Sequence, residues 1–167
     1  MATRPVIGVI GSGSTIPQEQ YDLAYEVGSL IAQRGAVLVC GGLHGIMEAA
    51  AKGAHENEGF VVGILPTADK ADANPYVDLA VPTGFGVGRN ALIVHTADVL
   101  IAFPGAFGTL SEIAMALDSG KSVVFLPGAW DLRKAGPLEG ARFLEAFDAK
   151  QAVGLALGEI GKKSKKE

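Results

Sequence analysis

Two charged residues stand at the ends of glycine-dense turns, and their types and positions could do chemistry together. Arg89 closes Thr83-Gly-Phe-Gly-Val-Gly-Arg89-Asn90 and starts a helix. Glu112 closes Pro104-Gly-Ala-Phe-Gly108-Thr-Leu-Ser-Glu112, where an apolar run ending at Phe103 passes through a Pro/Gly turn into an amphipathic helix. An arginine at an apolar, glycine-lined mouth suits a phosphate or a ribose oxygen. A carboxylate nearby could stabilise an oxocarbenium-like sugar or activate water, as carboxylates do in glycoside hydrolysis. The turn leading to Glu112 is itself an anion site. The first N–H groups of a helix lack internal partners, and the macrodipole places partial positive charge on them. Gly105 and Gly108 allow a ligand closer to the backbone than a Cβ would. Ala106 and Phe107 complete the loop, and Thr109 offers both a cap and a hydroxyl.

The same residues admit plainer readings. Thr109-Leu-Ser-Glu112 fits a capping box, in which Glu112 reaches back to the Thr109 N–H. Arg89 could be a surface arginine paired with Glu112 or Asp98.

The elements that must position these groups follow from the apolar pattern. Val6–Ile10, Ala36–Cys40, Phe60–Leu65, Val99–Phe103 and Ser122–Leu126 are short apolar runs that read as buried strands. A shorter strand is expected at Val77–Val81 and a last one at Arg142–Phe147. Helices are expected over Gln18–Arg34 and Ile46–Glu58, from Asn90 to about Thr96, and after Thr109. One more runs from the capping pattern Asp148-Ala-Lys-Gln151 to about Ile160. Residues 66–75 and 130–140 read as irregular. Strands alternating with helices mean βαβ units and a mostly parallel sheet in three layers. The expected fold class is therefore α/β, with one domain over residues 1–160 and a flexible basic tail over 161–167. Loops after strand ends face the ligand crevice in such sheets. Four loops can converge there: Gly11-Ser12-Gly13-Ser14, Gly41-Gly42-Leu43-His44-Gly45, the Arg89 loop, and 104–109. His44 joins the candidate contacts because it stands inside one of them.

Composition removes other classes. The 49% hydrophobic content against 19% charged fits a globular chain with a buried parallel sheet. A net charge of −4 and the lack of a basic aromatic groove argue against nucleic acid as partner. No apolar stretch reaches the ~20 residues that span a bilayer, so no membrane is expected. A strand-like run starting by Pro5 leaves no room for a signal peptide, and a lone Cys40 fits a reducing compartment; the expected location is cytoplasmic. Cys40 reads as a core strand residue.

Cofactor patterns fail as well. Ile16 stands where a dinucleotide loop needs its third glycine, and Cys40-Gly41-Gly42 offers no acidic residue for a ribose diol. No Gly-Lys-Ser/Thr follows any loop, which excludes a Walker site. His44, His55 and His95 are scattered and do not pair with Cys40 at ligand spacing, so no metal is expected. No nucleophile elbow is present. No cofactor is called for. The expected partner is a nucleoside monophosphate or another phosphorylated small molecule.

Pro104-Gly-Ala-Phe-Gly-Thr-Leu-Ser-Glu112 resembles the PGGxGTxxE signature of the LOG family, the cytokinin riboside 5′-monophosphate phosphoribohydrolases once mislabelled lysine decarboxylases. Gly41-Gly-Leu-His-Gly-Ile-Met47 is similar to that family's GGRxGxM segment, and Arg89 falls where its catalytic arginine falls. The resemblance covers roughly residues 5 to 126. It implies a Rossmann-like sheet, a homodimer or homotetramer, and a nucleotide-type ligand. Arg89 and Glu112 would be the catalytic pair, with Gly105, Gly108 and Thr109 on the phosphate. Three positions depart from the pattern: Ala106 for the second glycine, Leu43 for arginine, and Asn90 for the lysine after Arg89. In its length and its Gly-x-x-Arg-Asn pattern the chain resembles a sister branch that includes the molybdenum-cofactor carrier proteins. A carrier or sensor would hold a phosphorylated nucleotide or pterin on the same loop without cleaving it. Decarboxylation would need a Schiff-base lysine, and no crevice loop carries one.

Overall fold

A computed structural model describes residues 4–133 and 142–163 of the chain. The apolar runs become strands because their β-branched side chains fill both faces of a covered sheet. In order, the elements are β1 (Val6–Ile10), α1 (Gln18–Gln33), β2 (Val37–Cys40), α2 (Ile46–Glu56), β3 (Phe60–Leu65) and β4 (Leu79–Pro82). There follow α3 (Asn90–Thr96), β5 (Val99–Ala102), α4 (Phe107–Asp118), β6 (Val123–Phe125), β7 (Phe143–Glu145) and α5 (Ala149–Lys163). Short 3₁₀ turns occupy Lys70–Asp72 and Gly86–Arg89. All described strand pairs are parallel, in the order β4-β3-β2-β1-β5-β6-β7.

Alternation along each strand divides the core into two layers. Ile7, Val9, Leu38, Val99 and Ile101 point to the layer shared with α1, α2 and α5. Ile10, Val39, Leu100 and Ala102 point to the layer shared with α3 and α4. Each such Val, Leu or Ile buried here contributes about 1.5–3 kcal/mol. The expected Rossmann-like three-layer arrangement is what the chain adopts.

Two positions fix how closely α1 and α2 lie. A Cβ on Gly28 would stand 1.9 Å from the Ala50 carbonyl oxygen, and one on Gly53 would stand 1.9 Å from that of Tyr25. Each helix therefore uses a glycine to seat the backbone of the other. No described helix is long and apolar enough to cross a membrane.

Several boundaries differ from the sequence reading. β4 begins at Leu79 and not at Val77, because Val77 packs over Gly63 and Asp78 turns its carboxylate to the Val61 N–H at 2.8 Å. β7 covers only Phe143–Glu145. Arg142 is drawn to Glu159, and the Phe147 N–H is taken by the Gln151 side chain at 2.9 Å. That contact, with the Gln151 N–H donating to Asp148 Oδ1 at 2.8 Å, is the reciprocal cap that starts α5. α5 runs to Lys163, so the first three residues of the expected tail are helical. Residues 164–167, and 134–140 of the expected irregular stretch, lie outside the described residues.

Candidate functional site

The strand order reverses between β1 and β5, and the loops leaving those two strands frame a crevice there. The loops are stitched together by their own backbones. The Ser12 N–H donates to the Pro104 carbonyl at 3.0 Å, and the Ile46 N–H donates to the Ser12 carbonyl at 2.9 Å. Between them lies a cavity of about 230 Å³. Gly11, Ser12, Gly13, Gly41, Arg89, Ala106, Gly108, Thr109 and Glu112 all reach its wall.

Arg89 and Glu112 are 7% and 6% exposed. Arg89 enters from the end of the 3₁₀ turn before α3, and Glu112 from the second turn of α4. The guanidinium lies against the bare Cα of Gly41, where a Cβ would come within 2.2 Å of Nη1. Arg89 Nε is buried with no hydrogen-bond partner among the described residues. The surface arginine expected as an alternative is therefore not what the fold makes, and Asp98 is engaged elsewhere, accepting from the Val6 N–H at 2.8 Å. Burial pushes the Glu112 carboxyl up to about 7, and the neighbouring Arg89 charge only partly offsets this. Burial lowers the Arg89 pKa in turn, with Glu112 acting against the shift. Polar groups this deep normally carry protein partners, so a facing pair without them marks the cavity as a candidate ligand site.

The start of α4 differs from the expected one. Ala106 is the cap, in extended conformation and with no side-chain bond, and Phe107 is the first helical residue. Thr109 is therefore inside the first turn and does not cap it. It is 4% exposed, and it packs where a Cβ of Gly105 would meet its Oγ1 at 2.1 Å. The capping-box alternative for Glu112 fails with it, since the helix begins too early for Glu112 to reach the cap. An apolar cap leaves the first N–H groups of α4 unclaimed, and they open at the cavity wall formed by Ala106, Gly108 and Thr109.

The remaining expected contacts fall outside the cavity wall. Gly42, with φ +73, packs on Leu65 and Gly63. Gly105 turns its carbonyl to Trp130 Nε1 at 2.8 Å, which ties the loop down from behind. Phe107 is 80% exposed. His44 also points outward, with Nδ1 3.0 Å from Glu48 Oε2, and borders a neighbouring groove. Cys40 sits in the core as expected, and burial raises its thiol to about 11. His55 lies 3.5 Å from Asp78. No cluster suited to a metal ion occurs among the described residues.

Six wall residues were not among the expected contacts: Val9, Ile10, Ser14, Leu43, Met47 and Asn90. Asn90 had a signal, since it directly follows Arg89. Its Nδ2 donates to Ser111 Oγ at 3.1 Å and to the Gly108 carbonyl at 3.4 Å, joining α3 to the first turn of α4. Met47 and Leu43 show only as apolar residues beside glycines, and nothing in their types marks them as wall.

A doubly wound parallel sheet with a buried Arg–Glu pair and an open helix N-terminus at its switch point is a Rossmann-like fold with a candidate ligand crevice. The chain belongs to the SLOG cluster4 family, whose model matches residues 4–158. A protein of Archaeoglobus fulgidus described as uncharacterized is 47% identical over 83% of this chain and 87% of its own length. The cytokinin riboside 5′-monophosphate phosphoribohydrolase of Mycobacterium tuberculosis is 33% identical over 68% of this chain, and the match spans 63% of that enzyme. Among solved structures, the molybdenum cofactor binding protein of Rippkaea orientalis matches with a TM-score of 0.87 and 36% identity, over 96% of this chain and 99% of that one.

Proposed function

We propose that this protein is a phosphoribohydrolase that splits the N-glycosidic bond of a nucleoside 5′-monophosphate into free base and ribose 5-phosphate. The observation that carries this reading is the Arg89–Glu112 pair, both members buried and facing one cavity without hydrogen-bond partners among the described residues. The 5′-phosphate belongs on the open N–H groups of α4, beside the Arg89 charge. Glu112 is then the group that meets the sugar. With its pKa near 7 it is partly ionised at neutral pH and can both take and return a proton. The C1′–N bond breaks with its electron pair leaving on the base. Water adds to C1′, and the proton it loses passes to Glu112 and on to the base nitrogen. Ionised Glu112 also stabilises the positive charge that develops on the sugar.

The test is release of base and ribose 5-phosphate from AMP, GMP and CMP by wild type and by Glu112→Gln. Base from wild type alone supports the hydrolase. A second reading has its own support: the Rippkaea protein, similar over nearly the full length of both chains, is described as binding the molybdenum cofactor. Under that reading the same loop carries a phosphorylated pterin intact. Phosphate-ligand binding by both proteins with cleavage by neither would favour it.

A further inference from the structure

The cavity at Arg89 and Glu112 is small for a whole nucleotide. Pockets that enclose organic ligands usually measure about 300–1,000 Å³, and this one is about 230 Å³. Its wall at Gly13 and Ser14 is shared with a groove of about 640 Å³ that runs on between α1 and α2. The groove is edged by Ile16 and Tyr21 on one side and by His44 and Glu48 on the other. A ligand anchored by its phosphate in the cavity has this groove as its way out.

The chemistry of the groove is specific. Ile16 and Tyr21 are half-buried and give a flat ring apolar surface to lie on. Glu48 is its carboxylate, with 32% of the side chain exposed. His44 Nδ1, 3.0 Å from Oε2, holds the carboxylate in place, while Oε1 has no partner among the described residues. An ionised carboxylate only accepts hydrogen bonds, and it does so best from two parallel N–H groups. We propose that this groove binds the heterocycle of the ligand and that Glu48 selects a 2-amino-4-oxopyrimidine edge, the ring common to guanine and the pterins. That edge sets a ring N–H beside an exocyclic NH₂. Adenine and cytosine set an acceptor nitrogen beside their amine, which would face the carboxylate lone pairs and repel them. Uracil flanks its single N–H with two carbonyls. His44 is a positioning residue in this scheme. The proposal rests on the reading of the adjoining cavity as a phosphate site, and it holds whether the ligand is cleaved or carried.

Calorimetric titration of the full chain separates the two ideas. Ribose 5-phosphate, titrated into wild type, tests the phosphate site alone. GMP, AMP and 6-hydroxymethylpterin phosphate are then titrated into Glu112→Gln, so that no ligand is consumed, and into the same protein carrying Glu48→Gln as well. The expected result is GMP and the pterin phosphate binding at least tenfold tighter than AMP, with Glu48→Gln removing that difference and leaving ribose 5-phosphate affinity unchanged. The tighter of the first two names the source of the ring. His44→Ala is expected to narrow the difference partway. Ribose 5-phosphate binding with GMP no tighter than AMP overturns the groove proposal and spares the phosphate site. A difference that survives Glu48→Gln overturns it too. Failure of ribose 5-phosphate to bind overturns the phosphate reading and this proposal together.

Discussion

Glu112 and Glu159 are two glutamates with the same exposure, 6%, at opposite ends of one sheet, and they are treated in opposite ways. Glu159 on α5 sits at the ends where β6 and β7 begin. Ser122 Oγ donates to it at 2.8 Å, Arg142 Nη1 at 2.7 Å and Lys162 Nζ at 2.8 Å. Burial pushes its pKa up, but the hydrogen bonds from Lys162 and Ser122 and the charges of Arg142 and Lys162 outweigh that, and the carboxyl lies below its ordinary value. Glu112, at the ends where β1 and β5 finish, has one guanidinium for company and no such bonds, and it rises to about 7. Burial alone therefore does not mark a functional carboxylate. What separates the two is whether the protein has already satisfied the charge it buried.

The largest effect that would sharpen this contrast is on turnover. Glu112→Gln is expected to lower base release by roughly 10²–10⁴-fold, the usual worth of a positioned acid–base group, while the protein stays folded. Its stability should also change with pH in a defined direction. A carboxyl whose native pKa is raised binds more protons folded than unfolded, so stability is lost as pH climbs from about 4.5 to about 7. The shift corresponds to about 3 kcal/mol. Denaturant melts at pH 5 and pH 8 should show that slope in wild type and not in Glu112→Gln; equal slopes would remove Glu112 from the comparison. Next comes Arg89→Met. Affinity for ribose 5-phosphate should fall about 100-fold, or about 3 kcal/mol. The Glu112 pKa, followed by NMR, should rise further once its one opposing charge is gone.

Glu159→Gln should behave in the reverse sense. A depressed carboxyl contributes stability above its ordinary unfolded value, and that contribution disappears as pH falls through the native one. A loss of about 2 kcal/mol at pH 7 is expected, from hydrogen bonds to a charged group, with ligand affinity unchanged. Loss of binding would show that the two ends of the sheet communicate. The smallest effect is Gly41→Ala. The new Cβ would meet Arg89 Nη1 at 2.2 Å and Met47 Sδ at 2.6 Å, so the guanidinium must move. We expect a loss of affinity of about tenfold, near 1.4 kcal/mol, without a change in fold.

Much of this could be read from the chain before its fold was known. Strands such as Val6–Ile10 and Val99–Ala102 declared themselves by unbroken apolar runs, and Arg89 and Glu112 by their places after glycine loops. Thr109 misled because Thr-x-x-Glu has the form of a cap, while the real cap, Ala106, has no polar atom to announce it. His44 borders the adjoining groove and not the cavity itself, because a loop can be at the crevice while one side chain in it turns to a neighbour, here Glu48. Met47 reaches the wall through how α2 packs, which no local pattern encodes. The start of β4 was misplaced for a similar reason: Val77 gave up strand pairing for a contact with Gly63, distant in sequence.

The reciprocal seating of Gly28 on Ala50 and Gly53 on Tyr25 has a consequence for recognition in time and entropy. At these two contacts backbone lies against backbone with no side chain between to compress, so α1 and α2 are expected to move as one body. Tyr21 and Glu48 ride on these two helices and face the same groove. Their spacing is therefore set before any ligand arrives, and little ordering remains to be done on contact. Such a groove should discriminate between rings by rejecting a wrong edge quickly, through fast dissociation, and not by reshaping itself around the right one.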